Sequence, residues 1–244
     1  IKLRRQISLT AQLAVPAILA QLSSILMQYI DASMVGRLGA DGAASVGLMS
    51  SSLWLFWGIC SAVTTGFSVQ VAHRLGGKAP FEARKVVRQG ITSVLVVGAI
   101  MAAIGLAISG SLPGWLGGNE EIRPAASIYF AVFVAALPIL SLNYLAGGVL
   151  RAAGNMKVPS LLNVGMCVLD IAFNWFLIFP TRTLDIFGQE IVMPGAGLGV
   201  FGAALGTVCA EVVIACAMMW YMLTRQKDIR LKGAERGSFK PTRQ

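Results

Sequence analysis

The segment MQYIDASMVGRLG, residues 27–39, places an aspartate inside a run that otherwise has the composition of a membrane span. The run ends at Arg37, which lies among glycines and so has the composition of a tight loop between two helices. An ionised aspartate at the centre of a membrane helix costs about 3 kcal/mol on insertion scales. Asp31 therefore needs a protein environment or a watery cavity, and the fold has to supply it.

The remainder of the chain has the same apolar character. Of its 244 residues 56% are hydrophobic and 13% are charged, and charges this sparse cannot cover the exterior of a soluble domain. Six apolar runs each exceed the roughly 20 residues that a helix needs to cross a bilayer. They lie at about 9–36, 43–73, 88–112, 124–149, 158–180 and 197–224. The sequence therefore predicts an all-α membrane protein, with one six-helix bundle at 1–224 and a basic linker at 225–244.

The basic residues predict how this bundle lies in the membrane. Of the 20 Lys and Arg residues, all but Arg37, Arg123 and Arg182 fall at the N-terminus, in the second and fourth loops or in the C-terminal tail. Because positively charged loops stay on the cytoplasmic side, we expect a multi-pass protein of the cell membrane with both termini cytoplasmic. The net charge of +9 is then a topology signal. The lipid bilayer is the expected partner of these charges, and nucleic acid is not.

Three acidic residues, Asp31, Asp170 and Glu211, fall inside the predicted spans, and no Lys or Arg lies in the interior of any span. A carboxyl group in hydrocarbon without a basic partner has to be neutralised by a proton or by a bound cation. The three positions are therefore candidate sites for H⁺ or Na⁺. The alternative is that the intramembrane polar groups hold the bundle together through interhelical hydrogen bonds.

Polar side chains recur at helical spacing in two of the spans. In the first span they are Gln21, Ser24, Gln28 and Asp31, and in the fifth they are Asn163, Cys167, Asp170 and Asn174. Spacings of three and four residues place each set on one face of its helix. At 1.5 Å per residue, Asp31 and Asn174 each lie about 9 Å from the outer end of their helix. The two side chains would therefore meet if the helices are neighbours.

Two glycine motifs open the sixth span, and neither predicts a cofactor. GLGVFG at 197–202 matches the dinucleotide pattern G-x-G-x-x-G, but we expect no strand before it, so the motif lacks its context. Gly202 and Gly206 form a G-x-x-x-G pair that would let this helix approach a neighbour closely. The sequence also lacks a nucleophile with a nearby histidine and a metal-ligand cluster, so no enzyme is expected.

Several motifs, in this order, resemble the multidrug and toxic compound extrusion (MATE) transporters. They are Pro16, Asp31 with MVGRLGADGAASVG, RLGGKAPFEARKVVRQG, RAAGNMKVPSLLNVGMCVLDIAFNW and GAGLGVFGAALGT. The resemblance covers nearly the whole chain and implies the first lobe of a twelve-helix, two-lobe transporter that exchanges H⁺ or Na⁺ for organic cations. The C-terminal lobe of the same transporter and an organic cation are then the expected partners. Pro16 is the candidate hinge, because a proline frees a backbone carbonyl and permits bending.

The resemblance also implies roles for individual residues. Asp31 matches the main coupling acid of the family's first lobe, and Asp170 and Asn174 occupy a fifth-span pair. Relatives usually carry an amide at the first position of that pair, whereas this chain has the carboxyl there. Thr207 matches a sixth-span threonine beside the site, and Asn143 is a further neighbour. In one version of this prediction, Asp31, Asp170 and Asn174 together bind Na⁺.

These features favour a secondary antiporter that exports organic cations or drugs in exchange for H⁺ or Na⁺, with no other cofactor. One alternative is a lipid-linked oligosaccharide flippase, because such proteins have a similar fold. A flippase would line its cavity with Arg or Lys to meet the phosphates. The other alternative, a non-transporting membrane scaffold, would tolerate neutralisation of every intramembrane acid.

Overall fold

The computed structural model describes the backbone at residues 3–186, 189–226 and 229, and side chains at 14–15, 18–182, 194–226 and 229. The elements are α1 (Leu3–Gly36), α2 (Ala40–Gly76), α3 (Pro80–Ile108), α4 (Leu112–Trp115), α5 (Arg123–Ala152), α6 (Lys157–Ile178), β1 (Pro180–Ile186), β2 (Gln189–Ala196) and α7 (Gly199–Thr224). Six of the described helices, all but the short α4, are long and apolar enough to cross a membrane. The prediction of an all-α bundle with six spans is confirmed.

The helix ends differ from the predicted spans at a few positions. α3 begins at Pro80 rather than at 88. A proline is well tolerated at the start of a helix, because the N–H group that it lacks would have no hydrogen-bond partner within the helix at that position. α5 continues to Ala152, so Arg151 belongs to a helix and not to the loop predicted for it. The predicted hinge at Pro16 lies within the continuous helix α1, and its side chain is outside the described residues. The predicted linker lies outside them apart from residues 225, 226 and 229.

The long segment between the fifth and sixth spans forms an antiparallel hairpin, where the sequence predicted only a loop. Pro180 pairs with Ala196 and Ile186 pairs with Gln189. The strand β2 therefore does precede the GLGVFG motif, and the expectation that none would is wrong. It pairs only with the antiparallel β1 in the described chain, however, and not within a parallel βαβ unit. The motif still lacks the context of a dinucleotide site.

The hairpin is held against the end of α6. The backbone N–H of Leu198 donates to the carbonyl oxygen of Leu177 over 2.9 Å. The guanidinium carbon of Arg182 lies 4.2 Å from the ring centroid of Trp175 and 4.3 Å from that of Phe179. Because an aromatic ring face attracts a cation, these contacts fix the hairpin on the side of the bundle where α6 ends. We call this the hairpin side.

The helices pack around α5 and α6. α5 contacts α2, α3 and α7, while α6 contacts α1 and α7. One buried cluster joins α2 and α5 around Met49, Phe56 and Phe130, and the aromatic rings of Phe56 and Phe130 meet edge to face at 5.5 Å. A second cluster joins α1, α6 and α7 around Met34 and Ile178. This second group of helices also carries the polar stripes predicted from the sequence.

Close backbone approach between α3 and α5 depends on Gly98. A Cβ at this position would lie 2.8 Å from the Cα of Pro138, a backbone atom that cannot move aside. We expect Gly98→Ala to lower the free energy of unfolding by about 1–3 kcal/mol, the usual cost of overpacking. The measurement is the midpoint of thermal unfolding in detergent. Gly58→Ala is the matched control, because a Cβ at Gly58 meets nothing within 4 Å; an equal loss in both variants would contradict the prediction.

Candidate functional site

The two polar stripes meet through an amide that bridges two carboxyl groups. The side-chain N–H₂ of Asn174 in α6 donates to Oδ1 of Asp31 in α1 over 2.9 Å. The same nitrogen donates to Oδ2 of Asp170, one helical turn away, over 3.2 Å. Asp170 and Asn174 are both 0% exposed. The structure thus brings together the three residues for which the sequence predicted a shared ion site.

The two carboxyl groups are neighbours, because a single nitrogen of Asn174 donates to both of them. Thr207 in α7 lies beside Asp170, and its hydroxyl donates to the backbone carbonyl oxygen of Ala203 over 3.2 Å. Neighbouring carboxylates in a medium of low dielectric cannot both stay ionised unless a proton or a cation neutralises part of their charge. No Lys or Arg among the described residues forms an ion pair with either aspartate. The cluster therefore has the chemistry of a proton or small-cation site.

Two oxygens in the cluster have no hydrogen-bond partner within the described part of the chain. They are Oδ1 of Asp170 and Oδ1 of Asn174, and both are buried. Buried polar atoms are normally paired, so oxygens of this kind call for an explanation. Carboxylate and carbonyl oxygens are the ligands that hard cations prefer. The cluster thus offers oxygen ligands in addition to the atoms that are already hydrogen-bonded.

The close packing of α7 on α6 is a consequence of the two glycines singled out in the sequence. A Cβ at Gly202 would overlap the carbonyl oxygen of Leu177, and a Cβ at Gly206 would overlap Oδ1 of Asn174. The prediction that this pair permits a close helix approach is therefore confirmed. Gly206 in particular allows Asn174 to occupy the space between the two helices.

A second carboxyl cluster lies deeper in the bundle. The side-chain N–H₂ of Asn143 in α5 donates to Oε2 of Glu211 in α7 over 2.6 Å, and both residues are buried. Glu211 follows Thr207 by one helical turn, or about 6 Å along the axis away from the hairpin side. The resemblance implied that Asn143 is a neighbour of the Asp31 cluster, and the described hydrogen bond of its side chain is the one to Glu211.

Two cavities adjoin these clusters. The smaller, of 250 Å³, is lined by Thr207 together with the aromatic residues Trp54, Trp57, Tyr129 and Phe133. The larger, of 430 Å³, is lined by several polar side chains, which are Gln21, Ser24, Asn143, Tyr144, Arg151, Ser160 and Asn163. Gln28 and Glu211 line both cavities. Apart from Asp31, the polar stripe of the first span therefore faces cavity space.

Sequence interpretation missed two features of these cavities. Tryptophans near span ends usually anchor a protein at the membrane interface, but Trp54 and Trp57 line both cavities. Arg151 was assigned to a loop, yet it lines the larger cavity. The sequence did contain a signal against interfacial anchoring of these two residues. The second apolar run extends well beyond both tryptophans in each direction, so neither lies near the end of helix α2.

Intramembrane carboxyls beside cavities mark ion and substrate paths in membrane proteins, and comparison with known proteins identifies the class. A family model described as MatE matches residues 16–176. The chain therefore belongs to the MatE family, which confirms the resemblance to MATE transporters. The family match covers the residues of the Asp31 cluster in α1 and α6, while Thr207 and Glu211 lie beyond its end.

Relatives and solved structures agree with this assignment. The probable multidrug resistance protein YoeA of Bacillus subtilis is 24% identical over 217 residues, which cover 88% of this chain and 44% of that protein. The multidrug resistance protein NorM of Burkholderia vietnamiensis is 27% identical over 224 residues, which cover 89% and 45%. An outward-facing multidrug resistance MATE family transporter of the MOP superfamily matches with a TM-score of 0.79 at 23% identity, over 96% of this chain and 48% of its own. The chain thus spans somewhat less than half the length of the relatives it matches.

Proposed function

We propose that this chain is the N-terminal lobe of a secondary antiporter that exports organic cations in exchange for H⁺ or Na⁺. The coupling ion is held by Asp31, Asp170 and Asn174. The observation that carries the proposal is the bridge from Asn174 to the two carboxyl groups, at 2.9 and 3.2 Å. It joins α1 to α6 inside the bundle and away from any described basic partner. A merely structural contact would not require two acids in hydrocarbon.

Ion binding at this cluster would change how α1 and α6 are held together. When a proton or Na⁺ arrives, the charge on the carboxyls falls and the hydrogen bonds from Asn174 to them change in strength. A ligand shifts a conformational equilibrium only by its difference in affinity for the two states. In this proposal the bridge holds α1 and α6 in the observed arrangement, and ion binding favours an arrangement in which the bridge is weaker.

The relatives support export of drugs as the biological direction. YoeA is described as a probable multidrug resistance protein and NorM as a multidrug resistance protein. In this proposal the chain lies in the cell membrane with both termini cytoplasmic, following the distribution of Lys and Arg. A second lobe of the same transporter completes the central path, in line with the half-length match.

The cavities favour a cation exporter over a flippase for phosphate-linked lipids. No Lys or Arg is among the residues that line the smaller cavity, and Arg151 is the one basic residue among those that line the larger. Phosphate recognition usually draws on several Arg and Lys side chains. The carboxyl of Glu211, which lines both cavities, would repel a phosphate and attract a cation.

The test is ion-driven efflux from proteoliposomes that contain the complete transporter carrying this lobe. Vesicles are loaded with ethidium, and a pH gradient or a Na⁺ gradient is imposed separately while the membrane potential is clamped. We expect one of the two gradients to accelerate efflux above the rate in protein-free vesicles, and its identity names the coupling ion. Efflux that responds to neither gradient would contradict the antiport mechanism.

A further inference from the structure

Glu211 is the intramembrane acid that the proposed ion site does not use. Its side chain is 7% exposed, and its Oε2 accepts the hydrogen bond from Asn143 over 2.6 Å. No Lys or Arg in the described chain forms an ion pair with it. A buried carboxyl without a basic partner has to be neutralised by a proton or by a bound cation, so Glu211 can exchange its proton for a cationic ligand. Glu211 therefore has a function still to be assigned.

The surroundings of Glu211 are those of a site for an organic cation. The carboxyl and the rings of Trp54, Trp57 and Tyr129 line the same 250 Å³ cavity. The Trp54 and Trp57 rings meet edge to face at 5.1 Å, a favourable arrangement for an aromatic pair. Proteins usually recognise quaternary and delocalised organic cations with this combination of groups. The carboxylate supplies the opposite charge, and the aromatic rings attract the cation through their faces.

A small inorganic cation fits this cavity poorly. Such an ion needs several oxygen ligands around it, whereas the wall of this smaller cavity consists largely of aromatic and aliphatic side chains. An organic cation with apolar groups would instead bury those groups against the wall and place its charge near the single carboxyl. The side chains that line the smaller cavity therefore favour an organic cation over an inorganic one.

The Asp31 cluster is separated from this cavity. Neither Asp31 nor Asp170 is among the residues that line the two cavities, whereas Thr207, which lies beside Asp170, lines the smaller one. A ligand in the cavity would meet Glu211 directly and Asp170 only across Thr207. The carboxyls of Glu211 and Asp170 are still close enough to interact electrostatically. A cation at one of them would therefore weaken cation binding at the other.

We propose that Glu211 is the counter-charge for the transported organic cation in this lobe, within an aromatic site formed by Trp54, Trp57 and Tyr129. This site is distinct from the ion site at Asp31, Asp170 and Asn174. The inference rests on the proposed export function and adds to it a place for the substrate. Exchange then results from repulsion between two nearby occupied sites and does not require both cations to compete for one carboxyl.

The test is equilibrium binding of radiolabelled tetraphenylphosphonium to the purified complete transporter in detergent. Gln at position 211 can still accept the hydrogen bond from Asn143, so Glu211→Gln removes the charge and keeps the contact. We expect this variant to raise the Kd by about tenfold or more, because it removes a desolvated counter-charge. Trp54→Leu should also weaken binding. Trp115→Leu is the matched control, since Trp115 is 70% exposed on α4 and lines neither cavity.

Asp31→Asn separates this inference from the proposed function. If Glu211 is the counter-charge, the Asp31 variant binds tetraphenylphosphonium about as tightly as the wild type. An unchanged Kd in Glu211→Gln, or a Kd raised in Asp31→Asn alone, would overturn the inference and leave the antiporter proposal standing. The same holds if the wild type drives ethidium efflux yet binds no tetraphenylphosphonium. Failure of ion-driven efflux in the wild type would instead reject the proposed function itself.

Discussion

Asp31→Asn is expected to reduce ion-driven efflux to the rate of protein-free vesicles while the protein still inserts and folds. The amide has nearly the shape of the carboxyl, and its oxygen can accept the 2.9 Å hydrogen bond from Asn174. The contact between α1 and α6 therefore persists. The variant loses the group that changes charge, since an amide neither exchanges a proton nor neutralises a cation. The measurement is the initial rate of ethidium efflux under an imposed pH or Na⁺ gradient.

Two further variants make this result specific. Asp41→Asn removes the same charge from an exposed position in the first turn of α2, outside both cavities, and should keep the wild-type rate. Asp170→Asn should lose coupling as Asp31→Asn does, because Asp170 shares the bridge from Asn174. Wild-type efflux in Asp31→Asn would remove this cluster from the coupling mechanism. Equal losses in Asp31→Asn and Asp41→Asn would assign the effect to net charge and not to the site.

The meeting of Asp31 with Asn174 could be predicted because two simple quantities determine it. Helical spacing puts each residue on the polar face of its helix, and the distance to the helix end gives its depth. Once the apolar runs define six spans, two residues at equal depth need only neighbouring helices to make contact. The structure provides those neighbours, with α1 packed against α6.

The contact between Asn143 and Glu211 could not be predicted in the same way. α5 and α7 are apolar around most of their circumference, so no amphipathic stripe indicates which face of one helix meets the other. Rotation of a helix in a membrane bundle is determined by packing of small residues and by interhelical hydrogen bonds. These are long-range properties, and the two residues are separated by 68 positions. The lining of the cavities by Trp54 and Trp57 depends on the same packing.

The hairpin between α6 and α7 was missed for a local reason. Its proline and glycine residues are typical of loops, and polar and apolar residues alternate only over the four residues TLDI at 183–186, which is too short to predict a strand. Strand pairing became visible only in the register of β1 with β2. The contacts of Arg182 with Trp175 and Phe179 then attach the hairpin to the helix that carries Asn174.

Gly206→Ala is expected to disrupt the ion site through packing alone, without changing any polar residue. A Cβ at this position would overlap Oδ1 of Asn174 and lie 3.1 Å from both its Cγ and its backbone nitrogen. Asn174 would have to leave the position from which it bridges Asp31 and Asp170. Alanine gains about 0.5–1 kcal/mol over glycine in a helix interior, but overpacking costs about 1–3 kcal/mol. The net effect is a lower midpoint of thermal unfolding and strongly reduced ion-driven efflux.

A double variant distinguishes loss of the site from loss of stability. Adding Asn174→Ala to Gly206→Ala removes the side-chain oxygen and Cγ that the new methyl group would meet and leaves only the backbone nitrogen at 3.1 Å. Thermal stability should therefore return in part, while ion-driven efflux should not. Gly165→Ala is the matched control on the α6 side of the same helix pair, because a Cβ there meets only the Cδ1 of Ile214 at 4.0 Å. If Gly206→Ala kept both the wild-type unfolding midpoint and the wild-type efflux rate, α7 would not need this close approach to hold Asn174 between the two carboxyls. Recovery of efflux in the double variant would show instead that coupling does not require the Asn174 amide.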